Sequence, residues 1–320
     1  MAWRVSPQRM VGTREHFRIQ ELAPGVHAAV ATPEGFGLCN AGIVDLGGVT
    51  LVFDAMLTPQ AGEALGLVAR RLTGRAVDYL VNSHYHGDHI RGNGAVAAQH
   101  IVSTHKVREL VIERAASALE SDRVEAASEL EGLRTGRIPS TPAELAVYEG
   151  WYEGILATPK GWPVTPPDLT ISEEFVVHGS RREARVLSFG GGHSPSDVLV
   201  HLPEERIVFL GDLLSIGFHP CLWDGDPDAL LRILERVRAL RPDQALPGHG
   251  PLGGVGDVRR MEEYVAVLQR LARERLPPKA PGGGLAGVRP PSPFDQWKFS
   301  AFFEQNLAFV HGRLAHAAPG

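Results

Sequence analysis

The sequence predicts a layered α/β fold, and three observations support that. Short β-branched runs alternate with stretches of helical spacing in both halves of the chain. Side chains able to bind metal sit at the ends of the apolar runs or in turns rich in glycine and proline, as loop residues mounted on rigid strands do. The composition, 43% hydrophobic and 22% charged, is that of an ordinary soluble globular protein. At 320 residues the chain can bury a large core, as one α/β domain or two smaller ones.

The start of the chain reads as strands joined by tight turns: Val26–Val30, then Gly42–Leu46, a Gly47-Gly48 turn, and Val49–Asp54 completing a hairpin. Ala61–Leu72 has helical spacing, with Leu65, Val68 and Leu72 on one face. Tyr79–Val81 and Ile101–Ser103 are further short strands. Residues 106 to about 133 are charged and alanine-rich, with Leu110, Val111, Leu119, Val124 and Leu130 spaced for a helix. Residues 139–168 differ, holding six prolines and the aromatics Tyr148, Trp151, Tyr152 and Trp162, and they separate two β/α halves. The second half offers strands at Phe175–Val177, Arg185–Phe189, Val198–Leu202 and Ile207–Leu210. Asp226-Pro227 is an N-cap followed by proline in the first turn, opening a helix with Leu230, Leu234 and Val237 on one face. Gln244–Leu246 leads to His249, and a helix over about Val258–Leu276 presents Met261, Val265, Leu268 and Ala272. Six prolines and four glycines make 277–293 a linker, and a last helix bears Phe303, Leu307, Val310 and Leu314.

The bulk properties bound the function. A net charge of −5 leaves no basic footprint for nucleic acid. No apolar run approaches the roughly 20 residues that cross a bilayer, so no membrane is expected as a partner. Met1–Gln20 carries arginines without an apolar core, which is unlike a secretory signal. Two cysteines, Cys39 and Cys221, are too few for a disulfide framework and read as free thiols. A cytoplasmic enzyme is the expectation.

Its chemistry is concentrated in Asn82-Ser83-His84-Tyr85-His86-Gly87-Asp88-His89, directly after the run Tyr79–Val81. Three further candidate ligands follow at wide intervals: His193 in Gly-His-Ser-Pro, Asp212 after Phe209-Leu210-Gly211, and His249 in Pro-Gly-His-Gly. In an extended or looping backbone alternate residues point the same way, so His84 and His86 can converge on one ion. Asp88 and His89 sit where the chain turns toward a helix and can reach a second ion. A carboxylate such as Asp212 can bridge two ions about 3.5–4 Å apart, with a hydroxide as the other bridge, because bound water ionises near pH ~7. Two divalent ions, two aspartates and a hydroxide leave a charge of about +1, suited to attacking a carbonyl or phosphoryl centre without a serine or cysteine nucleophile.

His84-x-His86-x-Asp88-His89 followed by His193, Asp212 and His249 resembles the metallo-β-lactamase superfamily, over about residues 20–275. The resemblance implies an αββα sandwich of two mixed β-sheets flanked by helices, with metals at one edge. It implies that His84, His86 and His193 hold one metal, that Asp88, His89 and His249 hold the other, and that Asp212 bridges. Asp54 matches the superfamily's early aspartate, which orients a metal-binding histidine. The β-lactamases of this superfamily usually carry Cys or Ser where Asp212 stands. Its acyl-homoserine-lactone lactonases place a tyrosine where Ser215 stands, and no glutathione-binding set like that of glyoxalase II is present. On this reading residues 1–276 form the metallo-β-lactamase-fold domain, 106–168 a helical and Pro-aromatic insertion, 277–293 the linker, and 294–320 a C-terminal helical extension.

The expected function is a dinuclear zinc hydrolase, with Asp88 and Asp212 catalytic. A metal-bridging hydroxide attacks an ester, thioester, lactone or amide-like bond of a small molecule. Iron and manganese are the alternative metals. The alternative reactions are a mononuclear-iron sulfur dioxygenase acting on a persulfide and a metal-dependent phosphodiesterase. Tyr85, between two ligands, is expected to pack, while His219 divides evenly between touching substrate and serving the core. Residues 139–168 divide evenly between a lid over the site, with Trp151 and Trp162 as candidate walls of the substrate pocket, and an ordinary packing insertion. The Phe-bearing C-terminal helix can dock on its own body or on a second copy in a homodimer.

Overall fold

The computed structural model describes residues 15–275, 285 and 287–317. Of the expected linker, residues 277–284 and 286 lie outside the described residues, as do 1–14 at the arginine-bearing start. Among the described residues, twelve strands form two sheets. The first sheet runs in chain order through β1 (Phe17–Ala23), β2 (Val26–Ala31), β3 (Ala41–Asp45), β4 (Thr50–Phe53), β5 (Tyr79–Val81), β6 (His100–Thr104) and β7 (Leu169–Ile171). It is antiparallel as far as β4 and parallel beyond. The second comprises β8 (Glu174–His178), β9 (Glu183–Gly190), β10 (Asp197–Leu202), β11 (Ile207–Ser215) and β12 (Gln244–His249), antiparallel except for the parallel pair β11/β12. The helices are α1 (Pro59–Thr73), the single turns α2 (Gly87–Ile90) and α3 (Asn93–Val96), α4 (His105–Arg134), α5 (Pro142–Ala157), α6 (Pro227–Ala239), α7 (Val255–Arg273) and α8 (Ser300–Ala317).

Strands buried on both faces read as continuous apolar runs, and alternation then divides their side chains between two cores. Leu51 and Phe53 of β4 point between the sheets and meet Val186, Val200 and Phe209, with the Phe53 and Phe209 rings 5.8 Å apart. Val52 of the same strand points outward and joins Ala61, Leu65 and Ala69 of α1. On the far side, Val208 and Leu210 of β11 pack under Leu230 and Leu234 of α6, Met261 and Leu268 of α7, and Phe303 of α8. The result is helix, sheet, sheet, helix: the αββα sandwich of two mixed sheets expected from the sequence.

Several expectations are corrected. Leu72 is 36% exposed and Val124 79%, so the buried face of α1 runs through Ala61, Leu65 and Ala69 instead. The stretch 139–168 contains the four-turn α5, started by Thr141, whose hydroxyl accepts from Glu144 N while Glu144 accepts from Thr141 N. The C-terminal helix docks on its own body: Phe303, Leu307 and Val310 are buried in the α6–α7 core, each such side chain stabilising by roughly 1.5–3 kcal/mol. No helix among the described residues is long and apolar enough to cross a membrane.

Candidate metal centre

Each sheet delivers half of the cluster. From the first, β5 runs into a turn whose last residue, His86, caps α2, so His84 and His86 lie in the turn and Asp88 and His89 open the helix. The second brings His193 from the loop after β9, Asp212 and His249. Asp212 lies inside β11 and not in a loop, because that strand continues to Ser215. Its exposure to the site comes from Gly211, at φ 51°, where the ladder to β12 slips register. Gly248 lets β12 pass close by; a Cβ there would lie 1.9 Å from Asp212 Oδ1.

The seven expected ligand side chains come together in two groups. His84, His86, His193 and Asp212 form one, and Asp88, His89 and His249 the other, with the candidate ligand atoms of each group within 4.8 Å of one another. Asp212 divides its oxygens between them. Oδ1 lies 3.2 Å from His89 Nε2 and 3.4 Å from His249 Nε2, whereas Oδ2 lies 3.4 Å from His193 Nε2. Asp88 Oδ2 stands 3.4 Å from His89 Nε2 and 3.3 Å from His249 Nε2.

Hydrogen bonds on the outer ring nitrogens set the tautomers. Asp54, at the end of β4 with φ 61°, accepts from Ser83 N at 2.7 Å, Ser83 Oγ at 2.8 Å and His89 Nδ1 at 2.8 Å. The Ser83 hydroxyl hydrogen is directed to Asp54, so Ser83 Oγ accepts from His84 Nδ1 at 2.9 Å. His249 Nδ1 donates to Leu38 O at 3.3 Å, and His86 Nε2 to Asp224 Oδ2 at 3.1 Å. Four imidazoles therefore aim an unprotonated nitrogen inward when neutral. His84 Nε2, His89 Nε2 and Asp212 Oδ1 are buried there without a hydrogen-bond partner among the described residues. Buried polar atoms left open in this way, on a set of imidazoles and carboxylates, suit divalent ions such as zinc.

The electrostatics of the metal-free cluster follow from the same geometry. Burial favours neutral His84 and His193, and the neighbouring imidazoles depress both further, His193 to about 3 despite Asp212. Burial also opposes charge at Asp88, Asp212, His89 and His249, but the opposite charges outweigh it. Both carboxyls are held well below the usual range, His249 is lifted to about 10, and His89 is raised as well. Protons on His89 and His249 thus balance the two carboxylates.

The cluster lines a cavity of about 700 Å³ together with Leu38, Leu57, Trp151 of α5, Phe218, Trp223 and Phe302. The insertion supplies a wall through Trp151, but Trp162 does not reach the cavity. Its Nε1 donates to Arg91 O at 3.0 Å, pinning the end of the insertion down. Tyr85 lines the cavity and donates to Asp224 Oδ2 at 2.7 Å. His219 touches the cavity wall, but its ring sits among Tyr264, Trp297 and Phe303, and burial lowers its pKa to about 4. Both cysteines are free; Cys39 Sγ donates to Asp88 O at 3.0 Å, and Cys221 lines the cavity.

Two contributors carry no sequence signal of their own. Asp224 orients His86. Asp197, fully buried, accepts from the backbone N–H of Gly192, His193 and Ser194 and so folds the His193 loop. Burial raises Asp197 to about 6 in spite of those bonds.

Residues 35–249 match the family described as the metallo-beta-lactamase superfamily. A 118-residue stretch is 33% identical to the metallo-beta-lactamase type 2 of Bacteroides fragilis, covering 34% of this chain and 45% of that protein, less than half its length. In fold, the chain resembles a metallo-beta-lactamase from Pontibacter korlensis (TM-score 0.57, 18% identity, 78% of this chain and 99% of that one). It also resembles the inverting sec-alkylsulfatase Pisa1 from a Pseudomonas species (TM-score 0.67, 15% identity, 94% of this chain and 51% of that one).

Proposed function

The chain belongs to the metallo-beta-lactamase superfamily, and from that premise we propose that it is a dinuclear zinc hydrolase of an ester, thioester, lactone or amide-like bond in a small molecule. The observation that carries the reading is Asp212, whose two oxygens face two separate groups of inward-aimed imidazoles. His84, His86 and His193 would hold one ion, Asp88, His89 and His249 the other, and Asp212 both. An ion pair held there supplies Lewis acidity and a water that ionises near pH ~7.

The chain's own residues do the rest. Asp54, Ser83, Asp224 and Leu38 O keep the imidazoles in the ligating tautomer. The apolar cavity walls orient the substrate and exclude bulk water. Asp88, half-buried among the residues lining the cavity, would carry a proton to the leaving group.

The test is elemental analysis of purified protein, followed by a panel of esters, thioesters, lactones and phosphodiesters. β-Lactams and secondary alkyl sulfates join the panel because proteins of similar sequence or fold are named for them. Hydrolysis that chelation abolishes and zinc restores is the expected result. Full turnover after rigorous metal removal would refute the reading, and one iron per chain with oxygen uptake would replace it with the persulfide oxygenase.

A further inference from the structure

The cavity walls carry information about the substrate that the metal cluster does not. Besides Tyr85, five apolar aromatic side chains line it: Trp151, Phe218, Trp223, Phe299 and Phe302. Trp223 is 39% exposed, a large apolar surface left open where the cavity meets solvent. A volume of about 700 Å³ is ample for a drug-sized apolar ligand.

The cations set into this apolar lining differ in how they are matched. Arg91 is paired with Asp122. Lys298 stands 5.0 Å over the Phe218 ring, and its charge helps hold the nearby Glu144 carboxyl low. Arg114, on the exposed side of α4, has no carboxylate within 4.0 Å among the described residues. Its Nη1 donates to Tyr85 OH at 3.2 Å, and its guanidinium lies 5.6 Å from the Tyr85 ring centre. The other guanidinium donors are therefore available at the rim. Arg114 is also close to the chemistry: Tyr85 OH donates to Asp224, which holds His86. An unmatched guanidinium beside an apolar wall is suited to a carboxylate, sulfate or phosphate oxygen pair.

We propose that the substrate is an anionic amphiphile, with its apolar chain along the aromatic wall and its anionic group on Arg114, a few bonds from the scissile bond. This deepens the hydrolase reading, on which only the scissile bond depends; binding of the amphiphile does not need turnover.

Binding is therefore measured first, on the zinc-loaded full chain, by quenching of tryptophan fluorescence with butanoate through dodecanoate and with octan-1-ol as the neutral match to octanoate. Affinity should rise up to about fourfold per methylene until the cavity is filled. Octanoate should bind at least about tenfold more tightly than octanol, as a charge-assisted contact provides. Arg114→Gln should abolish the carboxylate preference and keep the chain-length dependence, and Trp151→Ala should flatten that dependence. A carboxylate preference that survives Arg114→Gln would place the anion on the metal centre, and no dependence on chain length would remove the apolar site; either overturns the proposal. Tight octanoate binding without hydrolysis of any ester in the panel would support the amphiphile site while the hydrolase reading fails.

Discussion

Replacing Asp54 with asparagine tests whether one buried carboxylate sets the affinity of the metal cluster. Asp54 is fully buried and accepts three hydrogen bonds, from Ser83 N, Ser83 Oγ and His89 Nδ1. Asparagine keeps the shape and favours the left-handed backbone at φ 61° more than alanine does. It can still accept from Ser83 N, but its amide NH₂ then faces Ser83 Oγ and His89 Nδ1. To avoid a clash of donors His89 must adopt the other tautomer, placing a proton on the Nε2 that faces Asp88 and Asp212. Losing such an orienting partner costs about 10–100-fold in metal affinity, or about 1.4–2.7 kcal/mol. Competition against a chromophoric chelator should show that loss mainly in the Asp88, His89 and His249 group. His84 should weaken less, being reached only through Ser83. Wild-type affinity at both sites in a folded Asp54→Asn protein would refute the reasoning.

Asp212→Ala should reduce bound metal from a pair to one ion or none and lower turnover by at least about 10²–10³-fold, read by elemental analysis and kinetics. Gly248→Ala should act on the same residue indirectly, since its Cβ collides with Asp212 Oδ1; metal loss is expected with about 1–3 kcal/mol of destabilisation. Phe303→Ala should lower stability by about 3–5 kcal/mol in denaturant titrations, because this α8 ring is fully buried against the α6–α7 core. In chelated protein, His249 keeps a proton up to about pH 10 that an unfolded imidazole loses near ~6.5, and His89 acts in the same direction. The native state then binds more protons across that window, so stability falls as pH rises, by at most about 1.4 kcal/mol per pH unit for each group. Melting temperatures from pH 7 to 10 should decline in the chelated form and not in the zinc-loaded form; a rise in the chelated form would contradict the assignment.

The candidate ligands were legible because four of them crowd into six positions after a strand, which chance rarely produces. The strand-to-turn placement of His193 and His249 followed from glycine and proline chemistry. The position of Asp212 did not, since Gly211 gives no sign in sequence that its strand resumes beyond it. Asp224 was illegible as a functional residue because an aspartate in a turn gains His86 and Tyr85 only when distant segments close on it, and Asp197 because its role depends on how the His193 loop folds back onto the start of β10. α5 was hidden for another reason. It meets the body at Val147 and Ile155, the cavity at Trp151 and Phe299 at Tyr148, so no single apolar stripe marks it. Its capping pattern, Thr141-Pro142-Ala143-Glu144, was nonetheless readable.

Neither sheet owns all the candidate ligands: His84, His86, Asp88 and His89 follow a strand of the first, whereas His193, Asp212 and His249 belong to the second. Ions seated there would act as rivets through the seam of the sandwich. Ion retention then becomes a gauge of how tightly the two halves are clamped. A cavity opened at the Phe53–Phe209 contact between the sheets should register as leaching of metal before the protein unfolds.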